Sequence, residues 1–544
     1  MQKISIHIKK YIPYVLVMAL LVSCEQDAIE GPTPAAPLPA LSAGSLNLSN
    51  YVSIGNSLTA GYTDNALFIK SQELSMPNLL AQKFAKAGGG SFSQPLMNDN
   101  NGGLLLAGNM IAGPRLYLKG TLPDLAPTSI LDFNAAALPT TDIATNNPTG
   151  PFNNMGVPGA KSYHLLAEGY GNIAGVTLGL ANPYFVRMAS TPNTSVLADA
   201  MAQAPTFFSL WIGNNDALGH ATSGADGNNP LTELETFDFA YNTLVSTLTS
   251  NGAKGIVANI PYLTSLPHFT TVPHNPLDPE NPAFGPQIAT LNGIFGQLNQ
   301  VFDFLEVPER KIIFSETENS EVVIIDESLT DLSAQIASVL SQSPTFPLFV
   351  QSFGLPAAAA PLVANLLGAT YGQAREASSE DLFVLPSSAV IGTVNEDATA
   401  SLVAQGLPLA LAGQFSAEGI TLPLADKWVL TPEEQAEIKT HIDSYNSTIK
   451  SVATAAGLAH LDANAYMQQL ATTGITDGQF TVTANLVTGG VFSLDGVHPN
   501  PRGYALLSNL MMKTLDATFG SNFEASGNLL DIGDYPTNFS PAMQ

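Results

Sequence analysis

The chain has 544 residues, enough for two or three ordinary domains or for one domain with long insertions, and its 45% hydrophobic content excludes a disordered polymer. Charged residues make up only 12%, yet 45 acidic side chains against 19 basic ones leave a net charge of −26. A surface that acidic repels phosphate backbones and argues against nucleic acid as a partner.

Lys3, Lys9 and Lys10 precede an apolar stretch, Tyr11 to Val22, that is too short for a permanent bilayer span, so residues 1–23 read as a processed leader. Leu21-Val22-Ser23-Cys24 closes it and contains the only cysteine. These four residues resemble the lipobox of bacterial lipoproteins. The resemblance implies cleavage before Cys24, lipidation of that residue, and an exported protein anchored in the outer membrane, facing the periplasm or the cell surface. The alternative is an ordinary secretory signal with a cysteine at that point by chance. A single cysteine rules out an intrachain disulfide, so stability must come from packing. Residues 24–45, rich in Pro, Ala and Ser, read as an extended tether.

The next stretch, YVSIGNSLTAGY at 51–62, joins a short buried-strand pattern to a glycine, with Ser57 two positions later in a polar turn. A serine there sits at the carboxyl edge of a parallel sheet, where the start of a following helix aims N–H groups at it. A helix is expected around Pro77 to Ala87. FNNMGVPGA at 152–160 places Gly156 and Gly159 in a tight turn whose N–H groups can face a small anionic centre. TFFSLWI at 206–212 has the continuous apolar character of a strand buried on both faces, and it runs into Gly213-Asn214-Asn215-Asp216. Phe237, Tyr241, Leu244 and Leu248 then recur at helical spacing, and Gly255 to Ile260 is another buried strand. This alternation predicts right-handed βαβ units and a parallel sheet, an α/β fold.

Residues 262–425 interrupt the rhythm. A hairpin of Lys311–Phe314 against Val322–Ile325 is expected there, followed by a helix on Leu332, Ile336 and Leu340. Between Leu332 and Ala374 no side chain is charged, which suits either an apolar lid or a buried helical subdomain. Thr431-Pro432-Glu433-Glu434 then has the form of a capping box with proline at the first helical position. Ile438, Ile442, Tyr445 and Ile449 line one face of the helix it starts. A short strand at Leu458 to Leu461, a further helix, the loop FSLDGVHP at 492–499 and a last helix through Tyr504, Leu507 and Met511 complete the pattern.

Asp495 and His498 stand three positions apart in a loop held by Gly496 and Pro499. At that spacing the carboxylate can fold back to accept the Nδ1 proton of the imidazole, leaving Nε2 basic and turned outward. The pair is a general base that needs a nucleophile. Gly55-Asn56-Ser57-Leu58 resembles the first sequence block of the GDSL or SGNH hydrolases, Gly159 the second, Gly213-x-Asn215-Asp216 the third, and Asp495-x-x-His498 the fifth, in the family's order. One departure is Asn56, where the family name has aspartate. Another is the size of segments 64–150 and 262–425.

The resemblance implies a three-layer α/β/α sandwich with a central parallel sheet, flavodoxin-like, carrying large insertions. It divides the chain into a hydrolase domain at 46–520, with an insertion or cap at about 262–425, and a tail at 521–544. It also implies that Ser57 attacks an ester carbonyl, His498 moves the proton and Asp495 orients His498. The oxyanion would be held by the N–H groups of Ser57 and Gly159 and the Asn215 amide. No cofactor or metal is implied: His268, His274 and Asp278 lie close in sequence, but a Pro-rich loop accounts for them. Nor does the α/β-hydrolase elbow fit, because Thr59 stands where Gly-x-Ser-x-Gly needs its second glycine. The expected activity is that of a serine esterase or lipase. A carbohydrate O-acetylesterase and a non-catalytic ligand-binding lipoprotein are the alternatives.

Overall fold

A run that is apolar on every residue hides both faces only inside a sheet covered on each side. The computed structural model, which describes residues 37–120 and 125–543, contains such a sheet. Its strands are β1 (Tyr51–Gly55), β2 (Asn154–Gly156), β3 (Phe207–Trp211), β4 (Lys254–Ala258) and β5 (Ala459–Leu461). All pairings are parallel and the spatial order is β5-β4-β3-β1-β2. This is a doubly wound order, and its switch point falls between β1 and β3. The leader and Cys24 lie outside the described residues.

The helices used below are α1 (Ser57–Ala60), α2 (Met76–Lys86), α3 (Asn215–Thr222), α4 (Leu234–Thr249), α5 (Pro432–Ala455), α6 (Ala463–Thr472) and α7 (Pro501–Phe519). They flank the sheet in packed sets, α2 against α7 and α4 against α5, an arrangement compatible with a three-layer α/β/α fold. Alternation along β1 and β3 fixes what each set meets. Tyr51 turns to α2, with its ring edge-on to Phe84 at 5.1 Å. Its hydroxyl hydrogen-bonds Ser209 at 2.7 Å, and Ser209 reaches Ser53 at 2.9 Å, so three buried hydroxyls satisfy one another inside the apolar layer. In the other set, Phe237 of α4 stacks on Tyr445 of α5 at 4.2 Å. At the start of α5, Glu434 accepts the Thr431 N–H at 2.8 Å, the reciprocal arm of the capping box.

The hairpin expected at 311–325 does not form. Val323–Ile325 pairs antiparallel with Ala374–Glu376 instead. The backbone at 312–314 is taken up by two asparagines of the helix Ile288–Phe304. Asn299 accepts from the Ile312 N–H and donates to its carbonyl, at 2.9 and 2.8 Å, and Asn292 does the same for Phe314. A primary amide presents a donor and an acceptor side by side, as a strand does, so no partner strand is required.

Segment 262–425 builds a second hydrophobic core, with Ile336, Phe346, Val350, Ala364 and Tyr371 all buried. Both ends of the span 46–520 are tied down. Ser45 donates its N–H to Phe519 O at 3.0 Å. In the stretch 521–543, Phe523, Leu530 and Ile532 join the main core, and Phe539 packs edge-on against Phe68.

Candidate active site

The three strands β2, β1 and β3 lie side by side, with Gly55 level with Gly156 on one flank and with Trp211 on the other. Ser57, Gly159 and Asn215 therefore leave the sheet from neighbouring strands at the same edge. Gly55 is required there, because a Cβ would stand 2.3 Å from Trp211 O and from Thr59 Oγ1. Its absence lets α1 begin directly off the strand with Ser57 as its first residue. Asn56 caps that helix, its Oδ1 accepting from the Leu58 N–H at 3.0 Å. Its Nδ2 donates to Asn214 Oδ1 at 3.1 Å, a bond an aspartate could not give. The departure at position 56 thus keeps the cap and gains a tie to the neighbouring loop.

Residue 498 reaches this edge through the loop before α7, where Ser493 N–H donates to His498 O at 2.8 Å. His498 Nε2 lies 2.9 Å from Ser57 Oγ, and Nδ1 lies 2.9 Å from Asp495 Oδ2. With Nδ1–H facing the carboxylate, Nε2 is the acceptor for the serine proton. The Asp495 side chain is only 10% exposed. Burial alone would push its pKa up, but the charge on His498 and hydrogen bonds from His498 and from the N–H groups of His498 and Val497 hold it well below the usual carboxylate range.

A second set of residues, absent from the sequence reading, holds that carboxylate. Thr63 and Ala66 exchange N–H···O bonds of 3.0 Å around Asp64 and Asn65, whose φ values are +50° and +62°. Two positive-φ residues at the centre mark a primed turn, and Asp and Asn are the non-glycine residues that tolerate it. The turn points both N–H groups at the Asp495 loop: Asn65 donates to Asp495 Oδ2 at 2.9 Å, and Asp64 donates to Ser493 Oγ, which in turn donates to Asp495 Oδ1 at 3.0 Å. Asp64 itself is buried and accepts from the Leu494 N–H at 3.1 Å. Its pKa is pushed up to about 7, by burial first and by the charge of Asp495 in addition, against the opposing effects of Leu494 N–H and Arg115.

Tyr62 lies with its ring 4.7 Å from that of His498. His268 docks on the opposite side of the loop, donating its N–H to Gly496 O at 3.0 Å. A Cβ on Gly496, where φ is +72°, would stand 2.8 Å from His268 N.

Of the residues expected to hold an oxyanion, Asn215 donates its Nδ2 to Ala160 O at 2.9 Å, which ties it to the Gly159 turn. The amide's second hydrogen and the N–H groups of Ser57 and Gly159 have no acceptor among the described residues. Gly159 takes φ +80° and has room around it, so its need for glycine is conformational, not steric. Ser57, His498 and Asn215 also line a cavity of about 110 Å³. His274 and Asp278 lie on the 262–425 segment, and neither lines that cavity with Ser57.

No protein-family model, no curated protein and no solved structure matches the chain.

Proposed function

We propose that the chain is a serine hydrolase of GDSL/SGNH type that cleaves acyl esters through an acyl-enzyme, exported and held at the outer membrane by lipid on Cys24. The observation that carries the activity is the unbroken hydrogen-bonded series Asp495, His498, Ser57, with 2.9 Å at each link.

Each step follows from the atoms of that series. His498 Nε2 takes the Ser57 proton as Oγ adds to the ester carbonyl, and the carbonyl oxygen becomes an oxyanion. Uncommitted donors at Ser57 N, Gly159 N and the Asn215 amide would receive it. Collapse breaks the bond to the alcohol oxygen, which leaves with the proton held on Nε2. A water then gives a proton to His498 and its oxygen to the acyl carbon, and the second collapse frees the acid and restores Ser57–OH. Asp495 remains ionised throughout and stabilises the imidazolium. Its depressed pKa supports that role.

Labelling with a fluorophosphonate probe tests the reading. The wild-type protein should be labelled stoichiometrically and Ser57→Ala not at all. A folded wild type that takes up no probe would overturn the hydrolase assignment in favour of a binding protein.

A further inference from the structure

The cavity beside Ser57 has a polar mouth and an apolar depth. Ser57, Asn215 and His498 stand at one end. Beyond them the walls are Met467 and Leu470 of α6, Leu506 and Leu510 of α7, Ile475 of the short strand Ile475–Asp477, and Val491 from the loop before α7. These six are buried, and no aspartate, glutamate, lysine or arginine lines any part of the space. A void walled in this way offers water no partners and leaves its lining short of dispersion contacts, so it suits an apolar guest.

Helix geometry gives its direction and reach. α7 starts three residues after His498 and carries Gly503, Leu506, Leu507 and Leu510 along the wall. Two turns separate the first of these from the last, about 10 Å of helix leading away from the reacting serine. α6 runs the same length along the other wall, from Ala463 to Leu470. Nothing from the charge-free run 332–374 takes part.

We propose that this cavity receives the acyl chain of the substrate, and that the substrate is an ester of a medium-chain fatty acid, roughly eight carbons long to match two helical turns. The proposal rests on the serine-hydrolase reading of Ser57. An acetyl group would leave the depth empty. A sugar or peptide placed there would bury hydroxyl or amide groups without partners. The carbonyl end sits beside Ser57, and the alcohol lies on the solvent side, where the leaving oxygen can meet the proton on His498.

The test is a series of p-nitrophenyl esters from acetate to palmitate, joined to ligand binding. In the wild type kcat/KM should rise about fourfold with each added methylene up to octanoate, as each enters an apolar site, and fall beyond it. Leu510→Phe, at the far end, and Met467→Phe, on α6, should each lower the octanoate-to-acetate ratio at least tenfold and move the optimum to shorter chains. Octanoate, and not acetate, should raise the Tm of the wild type and of Ser57→Ala, and Leu510→Phe should remove that rise. A wild type as fast on acetate as on octanoate, or a ratio untouched by both phenylalanine variants, overturns the proposal. If no ester is turned over but octanoate still raises the Tm in a Leu510-dependent way, the cavity assignment stands and the hydrolase reading falls. Turnover of acetate with no response to octanoate does the reverse.

Discussion

In the proposed reaction Asp495 and Asn215 both stabilise charge, but they meet it at different points, so their removal should differ in size. There Asp495 would hold the neutral imidazole of His498 with its proton on Nδ1 and then stabilise the imidazolium. Asp495→Asn should therefore lower kcat by about 10⁴-fold with little change in fold. Asn215→Ala removes one of the three proposed oxyanion donors and should cost about 10²–10³-fold. Steady-state kinetics on a short-chain ester separates the two, and equal losses would argue against these roles. Asp64 is a buried acid that the chemistry does not use. Its pKa is about 7 in the fold against 3.8 as its ordinary value, so the folded state binds the extra proton between those two. Its burial is then harmless in acid, and stability falls as pH rises through that window. Asp64→Asn, which can still accept from Leu494 N–H, should leave the Tm unchanged near pH 4 and raise it progressively up to pH 8. Scanning calorimetry across that range reads the effect, and a flat difference would dismiss it. At this scale the three side chains that meet at the sheet edge were legible because the proposed chemistry restricts residue type: a serine after a strand, and an aspartate and a histidine at a spacing that allows a hydrogen bond. Asp64 and Asn65 carried a turn signal, but nothing in them points to a carboxylate 430 residues away.

Elements were legible where burial dictates composition. β1, β3 and β4 read as strands because both of their faces are covered, and α5 announced itself through its capping box and its row of isoleucines. β2 did not, since three residues, Asn-Met-Gly, carry no periodicity; β1 beside it supplies the pairing. The misplaced hairpin has a similar cause. Ala374-Arg375-Glu376 holds no strand signal, and its pairing to Val323–Ile325 is fixed by Arg375, which bridges Asp326 at 2.6 Å and Asp381 at 2.7 Å. The turn 63–66 is the element on which the Asp495 loop leans, and it permits a clean test. Valine at position 65 would have to hold a branched side chain at positive φ, at a cost of about 1–2 kcal/mol. Glycine adopts the same φ freely and keeps the N–H aimed at Asp495. Asn65→Val should lower both Tm and kcat, whereas Asn65→Gly should keep kcat within a few-fold of wild type. Equal losses in the two would mean that the asparagine side chain, not the backbone donor, supports Asp495.

For the molecule as a whole, the question the sequence left open was whether the uncharged run 332–374 is a lid or a body. Its composition allows both, because a surface that meets lipid and a surface that meets another helix are equally apolar. Packing of its inner face supports a body. Helices Ser333–Gln342 and Ala360–Tyr371 approach so closely that a Cβ on Gly368 would stand 2.3 Å from Ser333 O, and Ala364 one turn earlier is fully buried. Small residues one turn apart admit a neighbouring helix, and this pair forms the centre of the second core. The inner faces of the run bury one another, Leu348 and Leu362 stay exposed on its outer side, and Trp428 packs against this core and the main one alike. A body of this kind should contribute stability without touching the substrate of the proposed reaction. Phe346 is fully buried within it and stacks on Phe349 at 5.7 Å, so Phe346→Ala should cost about 3–5 kcal/mol and lower the Tm by several degrees. Below that transition, kcat/KM for an acetyl ester should stay within twofold of wild type. A folded variant whose hydrolysis collapses, or whose chain-length preference shifts, would mean that the second core reaches over the cleft during the proposed reaction and covers the substrate after all.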